Sequence, residues 1–309
     1  MKRRVLGRTK LVVSPIALGS VSLGLDYGIA VPGNSGAPTD ADAVEVIRRA
    51  ADAGINLFDT APAYGRSERL LGEALRGRPD CIVATKVTIP SGAGGTNGQA
   101  DLRASLERSL RSLRRDALDI VQIHNATVET VAAGMFTEAL LEARAAGLVR
   151  FIGASVYGEA AALAVVKAGC FEVLQVAYNV LDQRMASRVL PAAAAAGVGV
   201  LVRSAYLKGV LTSRAEWLPM EMEQLRRAAR LARDAVGGSW AELARAALRF
   251  CLSARAVSSV LVGVRTVAEL DEALAAGALG ALPPDLVASL GQLALADEHL
   301  LNPAHWPIP

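Results

Sequence analysis

The sequence predicts a parallel (β/α)8 barrel of the TIM-barrel kind, and three observations carry that expectation. Short apolar segments rich in β-branched residues recur eight times along the chain. Amphipathic stretches with visible start and stop residues separate them. The segments are nearly continuous in apolar character, as strands covered on both faces must be. Such alternation calls for a parallel sheet, and eight repeats within 309 residues suit a closed barrel in one domain, 1–309.

The strand candidates, in order, are SPIALGS (14–20), NLFDTA (56–61), CIVATKV (81–87), LDIVQIH (118–124), VRFIGAS (149–155), VLQVAYN (173–179), GVLVRSA (199–205) and SSVLVGV (258–264). In the first helix Val44, Ile47 and Ala51 mark one face, and Gly54 is placed to stop it. Leu102, Leu106, Leu110 and Leu113 stripe another. EALLEARAAG stops at Gly147 and LPAAAAAG at Gly197. Ser239 with Glu242, and Thr266 with Glu269, have the spacing of capping boxes. Between the seventh and eighth strands there is room for two helices, 219–236 and 239–253, so one is an extra. The polar, glycine-rich loops 25–39 and 91–98 each follow a strand and belong at the barrel's active face.

An open doubly wound sheet would need GxGxxG after an early strand. GAGGTNG (92–98) misses it by one residue. GSVSLG (19–24) has P-loop glycine spacing but continues with Leu25 instead of lysine.

Composition narrows the function classes. The chain is 52% hydrophobic, 20% charged and carries a net charge of +3. That charge is too small and too dispersed for a nucleic-acid footprint, and the basic run RSLRRD from 111 reads as the polar face of a helix. No apolar run of about 18 residues exists to cross a membrane. The basic start lacks the apolar stretch of a signal peptide. Cys81, Cys170 and Cys251 form no CxxC pair and read as reduced, so a cytoplasmic protein is expected.

In a barrel, chemistry gathers where strands end at the C-terminal face. The second strand ends on Asp59, with Tyr64 close behind. The third carries Lys86 and the fourth ends on His124. The fifth ends on Ser155, the sixth passes Gln175, the seventh carries Arg203 and the eighth leads to Arg265. Asp, Tyr, Lys and His on three adjacent strands converge on one site. A tyrosine is a poor acid, with a reference pKa of about 10. A neighbouring ammonium favours its phenolate. Asp59 would anchor Lys86, Lys86 would tune Tyr64, and Tyr64 would protonate an oxygen as it becomes an alkoxide. His124 would orient or polarise a carbonyl. A metal site lacks clustered ligands, since His299 and His305 lie in the C-terminal tail. A nucleophile elbow would read GxSxG, whereas residues 153–157 read GASVY. A Schiff-base lyase built on Lys86 stays open as a rival.

LGRTKLVVSPIALGS, GINLFDTAPAYGRSE, ATKV, LDIVQIH and RFIGAS occur in a fixed order over most of the chain. In them the sequence resembles the aldo-keto reductase superfamily. The resemblance implies an N-terminal β-hairpin that plugs the barrel floor. It implies a reductase that binds NADPH, or NADH, extended on the active face, with Asp59, Tyr64, Lys86 and His124 as its catalytic tetrad. Ser155 and Gln175 match carboxamide-binding positions, and Gly19 and Ser20 match a strand-one cofactor contact. GVRTVAELDEAL resembles the adenosine-phosphate loop, with Gly263, Arg265, Thr266 and Glu269 as contacts. Arg265 offers a guanidinium fork for a 2′-phosphate at a helix N-terminus, so NADPH is preferred. Arg203 and Ser204 complete the cofactor set.

Three departures from the family pattern stand out. Val156 replaces an asparagine after the strand-five serine. Arg203 replaces an aromatic ring against the nicotinamide, where it could stack by its plane, reach the pyrophosphate or leave stacking to Tyr206. NATVE instead of a WP pair follows His124. Tyr27, Trp217 and Trp306, with Tyr64 and His124, are the candidate substrate-lining residues. The substrate is a small carbonyl or alcohol of unspecified identity, and oligomeric state is left open. A dinucleotide sensor with slow turnover is the alternative from another class.

Overall fold

A computed structural model describes residues 2–33, 36–88 and 97–308, with side chains from 101 onward in the last segment. The glycine-rich loop 91–98 therefore lies outside the described residues up to 96.

The chain opens with an antiparallel hairpin, β1 (Arg4–Val5) and β2 (Val12–Val13). Eight strands follow: β3 (Ile16–Gly19), β4 (Leu57–Asp59), β5 (Ile82–Thr88), β6 (Leu118–Ala126), β7 (Val149–Val156), β8 (Val173–Ala177), β9 (Gly199–Arg203) and β10 (Val257–Gly263). They run parallel in the order β10-β3-β4-β5-β6-β7-β8-β9 and close into a barrel. All eight expected strands are present. β4 is shorter than expected: Thr60 still donates its N–H to the Ala84 carbonyl, and the chain then turns away at Pro62. β6 runs past His124 to Ala126, through a register shift beside Asn125, whose φ is 56°.

The hairpin plugs the floor because its apolar residues have nowhere else to be buried. Leu6 and Val13 are fully buried, and they join Ala17, Leu57, Ile82, Ala84, Ile120, Val173, Leu201 and Leu261 in the lower barrel interior. Two arginines fasten it to backbone carbonyls around the barrel's lower end. Arg4 donates to Val257 O and Leu252 O, and Arg8 to Gly169 O and Phe171 O. A larger cluster fills the space between the strands and the helical ring.

Helices Asp40–Asp52, Ser67–Ala74, Asn97–Leu113, Met135–Ala145, Glu159–Ala168, Val189–Ala195, Trp240–Ser253 and Val267–Ala278 form the ring. Of the two helices between β9 and β10, Trp240–Ser253 packs on β10. Helix Glu223–Ala235 packs on the 213–217 turn and on helices 240–253 and 284–291, so it is the extra one. The expected capping box at Ser239 does not close. Ser239 is the N-cap but makes no side-chain bond there, and the Glu242 carboxylate accepts from Arg245 instead (2.5 Å). Among the described residues no helix is long and apolar enough to cross a membrane.

Candidate active site

Strand register brings the chemistry-bearing side chains together. Asp59 lies opposite Ala84, Lys86 opposite Gln122, and Thr88 opposite His124. Residues two apart share a strand face, so Lys86, Gln122 and His124 all address the barrel axis. Tyr64 comes from the turn after β4, and two glycines seat that turn. A Cβ on Gly24 would stand 2.0 Å from the Tyr64 carbonyl. Gly65 has φ +58°, and a Cβ there would meet Gly24 O at 2.8 Å. The 20–25 and 60–66 segments interlock only without those side chains.

Lys86 is fully buried. It donates to Asp59 Oδ2 at 2.6 Å and to Thr60 O at 2.9 Å, and its Nζ stands 4.8 Å from the centre of the Tyr64 ring. Burial opposes its charge, yet the Asp59 carboxylate it is bonded to and the nearby Tyr64 outweigh it and raise its pKa. Asp59 Oδ1 accepts from Gln175 Nε2 at 2.7 Å and from Gln122 Nε2 at 3.3 Å. Ser155 Oγ donates to Gln175 Oε1 at 3.3 Å. The rings of Tyr64 and His124 meet edge-on, 5.8 Å between centroids. Burial first, then the charges of Lys86 and Arg203, push His124 down to about 3, so it is neutral near pH 7.

The expected cofactor contacts divide. Gly19 and Gly263 are register partners at the open ends of β3 and β10. Neither is demanded by a positive φ, and a Cβ on either would meet only ordinary contacts, at 3.5 Å or more. The Ser20 hydroxyl is turned into the wall, donating to Asp59 O at 2.6 Å beside Ser67 Oγ. Arg265 is buried and donates to Tyr27 O (2.6 Å) and Asp26 Oδ1 (3.2 Å). Burial, with the nearby Arg214 guanidinium, lowers its pKa. Thr266 caps its helix by accepting from Glu269 N. Glu269 accepts from Arg265 N at 2.7 Å and faces Arg214 at 3.7 Å. Arg203 packs on Tyr157, 3.9 Å from the ring centre, and donates to Val156 O at 3.0 Å. Ser204 has φ 60°, and its carbonyl accepts from Asn179.

Of the expected lining residues, Tyr27 reaches the mouth. Burial, then Tyr157, push its phenol up to about 12, with Arg203 and Tyr64 also near enough to act on it. Trp306 is buried in the C-terminal tail, and Lys208 Nζ stands 6.0 Å from its ring and 5.1 Å from that of Tyr27. Trp217 is 53% exposed, and among the described residues no ring contact joins it to Tyr27, Tyr64 or His124.

Gln122, Tyr157, Lys208 and Arg214 were not expected here. Gln122 had a signal, as a polar residue inside an apolar strand and in phase with His124. Tyr157 is in phase with Ser155. Lys208 and Arg214 arrive from loops, where no periodicity marks them.

Known proteins resemble this chain in sequence and in fold. The model of the Aldo/keto reductase family matches residues 15–294. L-galactose dehydrogenase of Arabidopsis thaliana is 31% identical, covering 88% of this chain and 87% of its own. D-threo-aldose 1-dehydrogenase of a Pseudomonas species is also 31% identical, over 90% and 96%. NADH-specific methylglyoxal reductase of Escherichia coli is 30% identical, over 69% of each. The holo form of an aldo-keto reductase from Bacillus halodurans superposes with a TM-score of 0.80 at 26% identity, over 99% of each chain.

Proposed function

The chain belongs to the aldo/keto reductase family and is a nicotinamide-dependent oxidoreductase, and from that premise we propose that it reduces small carbonyl compounds with NADPH, using Tyr64 as proton donor. The buried Asp59–Lys86 pair, with its ammonium against the Tyr64 ring and a neutral His124 edge-on to that ring, is the observation that carries the reading.

The residues present fit an extended dinucleotide. The paired Gly19 and Gly263 present no side chain of their own at the open rim of the barrel. Ser155 and Gln175 offer a hydroxyl and an amide for a carboxamide. Arg265 and Arg214 gather positive charge beside the helix start at Thr266, which supports a 2′-phosphate there. When bound, the dihydronicotinamide supplies the hydride to the carbonyl carbon.

The protein's residues do the rest. Neutral His124 orients the carbonyl oxygen toward Tyr64. Tyr64 gives its proton to that oxygen as negative charge develops. The Lys86 ammonium steadies the phenolate left behind, and Asp59 keeps that ammonium in place. The reverse reaction, alcohol oxidation, uses the same groups. A Schiff-base lyase needs a neutral amine at Lys86, whereas its surroundings favour the ammonium.

Sugar aldehydes and short dicarbonyls head the substrate classes, after the relatives named for L-galactose, aldoses and methylglyoxal. The whole chain works as one barrel unit, and its free cysteines fit the reducing cytoplasm.

The test is loss of reduced-cofactor absorbance with NADPH and then NADH over a carbonyl panel, with Tyr64→Phe alongside. Turnover that collapses in the variant supports the reading. Tight cofactor binding without turnover of any carbonyl favours a dinucleotide sensor.

A further inference from the structure

Arg203 places a fixed positive charge in the barrel mouth. Its guanidinium lies over Tyr157, and its edge is tied to Val156 O at 3.0 Å and Ser204 Oγ at 3.3 Å. Among the described residues no carboxylate neutralises it. Strand register fixes where the charge sits. Ser155 lies opposite Gln175, Gln175 opposite Leu201, and Ala177 opposite Arg203. Leu201 belongs to the barrel interior, so Arg203, two residues on, faces the same axis one step above Gln175. The site feels this charge, because it acts on both His124 and Tyr27.

We propose that Arg203 sets which oxidation state of the dinucleotide this site holds, favouring the reduced form. The inference rests on the cofactor reading above, with the ring seated at Ser155 and Gln175. In carbonyl reduction the hydride carries its electron pair to the carbonyl carbon and Tyr64 supplies a proton to the oxygen. A neutral ring thereby becomes a cationic one. Beside a guanidinium that cation is disfavoured, by about tenfold to a hundredfold in affinity for partly buried charges several ångströms apart. Each tenfold raises the potential of the bound couple by about 30 mV. Oxidised cofactor then leaves readily after reduction of a carbonyl, while the bound equilibrium leans toward alcohol oxidation.

The experiment is calorimetric measurement of the Kd for NADPH and NADP+, and for NADH and NAD+, on the wild type, Arg203→Gln and Arg203→Lys. The wild type is expected to bind the oxidised form at least about tenfold more weakly than the reduced form. Arg203→Gln brings the two within about threefold, chiefly by tightening the oxidised form, and Arg203→Lys preserves the gap. Equal wild-type affinity for both forms overturns the proposal without any variant. A gap that persists in Arg203→Gln also overturns it. A wild type that binds neither form removes the cofactor reading itself, and this inference with it, a result distinct from a ratio near one.

Discussion

Gln175 and Lys86 grip opposite oxygens of one buried carboxylate: Gln175 Nε2 donates to Asp59 Oδ1 at 2.7 Å, and Lys86 Nζ to Asp59 Oδ2 at 2.6 Å. The residues proposed to hold a nicotinamide carboxamide are thus one hydrogen bond from the group that fixes the proton donor's partner. Cofactor seating and acid–base chemistry share Asp59.

Asp59→Asn removes the carboxylate bonded to a fully buried ammonium. Unfolding by urea is expected to show a loss of about 3–5 kcal/mol. Asp59→Leu combined with Lys86→Met should lose less than the sum of the two single variants, because the pair is then removed together.

Tyr64→Phe keeps the ring edge against His124 and removes the transferable proton. Turnover should fall about a hundredfold to ten-thousandfold. Dinucleotide Kd, read by calorimetry, should stay nearly unchanged. A large change in Kd with intact turnover would reverse the roles assigned here.

Gly24→Ala changes no reacting group, yet its Cβ would fall 2.0 Å from the Tyr64 carbonyl. The turn carrying Tyr64 must shift. A misplacement of about 1 Å is expected to cut kcat roughly a hundredfold while the circular dichroism spectrum is retained.

His124 titrates at about 3 in the folded protein, below its unfolded value of about 6.5. The unfolded chain therefore binds the extra proton first as pH falls. Stability contributed by neutral His124 is present above about 6.5 and lost toward 3, at up to about 1.4 kcal/mol per pH unit. Lys86 has the opposite sign, since its raised pKa contributes stability that is lost only in the alkaline range. Urea midpoints of the wild type and His124→Gln between pH 7 and 4 check this: the variant's curve should be flatter.

Arg265→Gln keeps hydrogen bonding toward Tyr27 O and removes the positive charge. NADPH affinity should drop about tenfold to a hundredfold, the worth of a charge-assisted bond. NADH affinity should barely change. Equal losses for both cofactors would assign Arg265 to holding the 25–33 loop instead of a phosphate.

The sequence by itself determined the barrel, because eight apolar runs with helical punctuation admit few other closed arrangements. It also marked Asp59, Lys86 and His124, since strand ends on a barrel's C-terminal face must converge. Gln122 was legible in principle, from its phase with His124. Tertiary structure alone decided what these side chains bond to. It turned the Ser20 hydroxyl into the wall, committed Glu269 to Arg265 and Arg214, laid Arg203 on Tyr157 and left Trp217 in solvent. The reason is physical. Strand periodicity fixes which way a side chain points to within one face. Its hydrogen-bond partner is a matter of ångströms between segments distant in sequence, and loops such as 204–214 carry no periodicity at all.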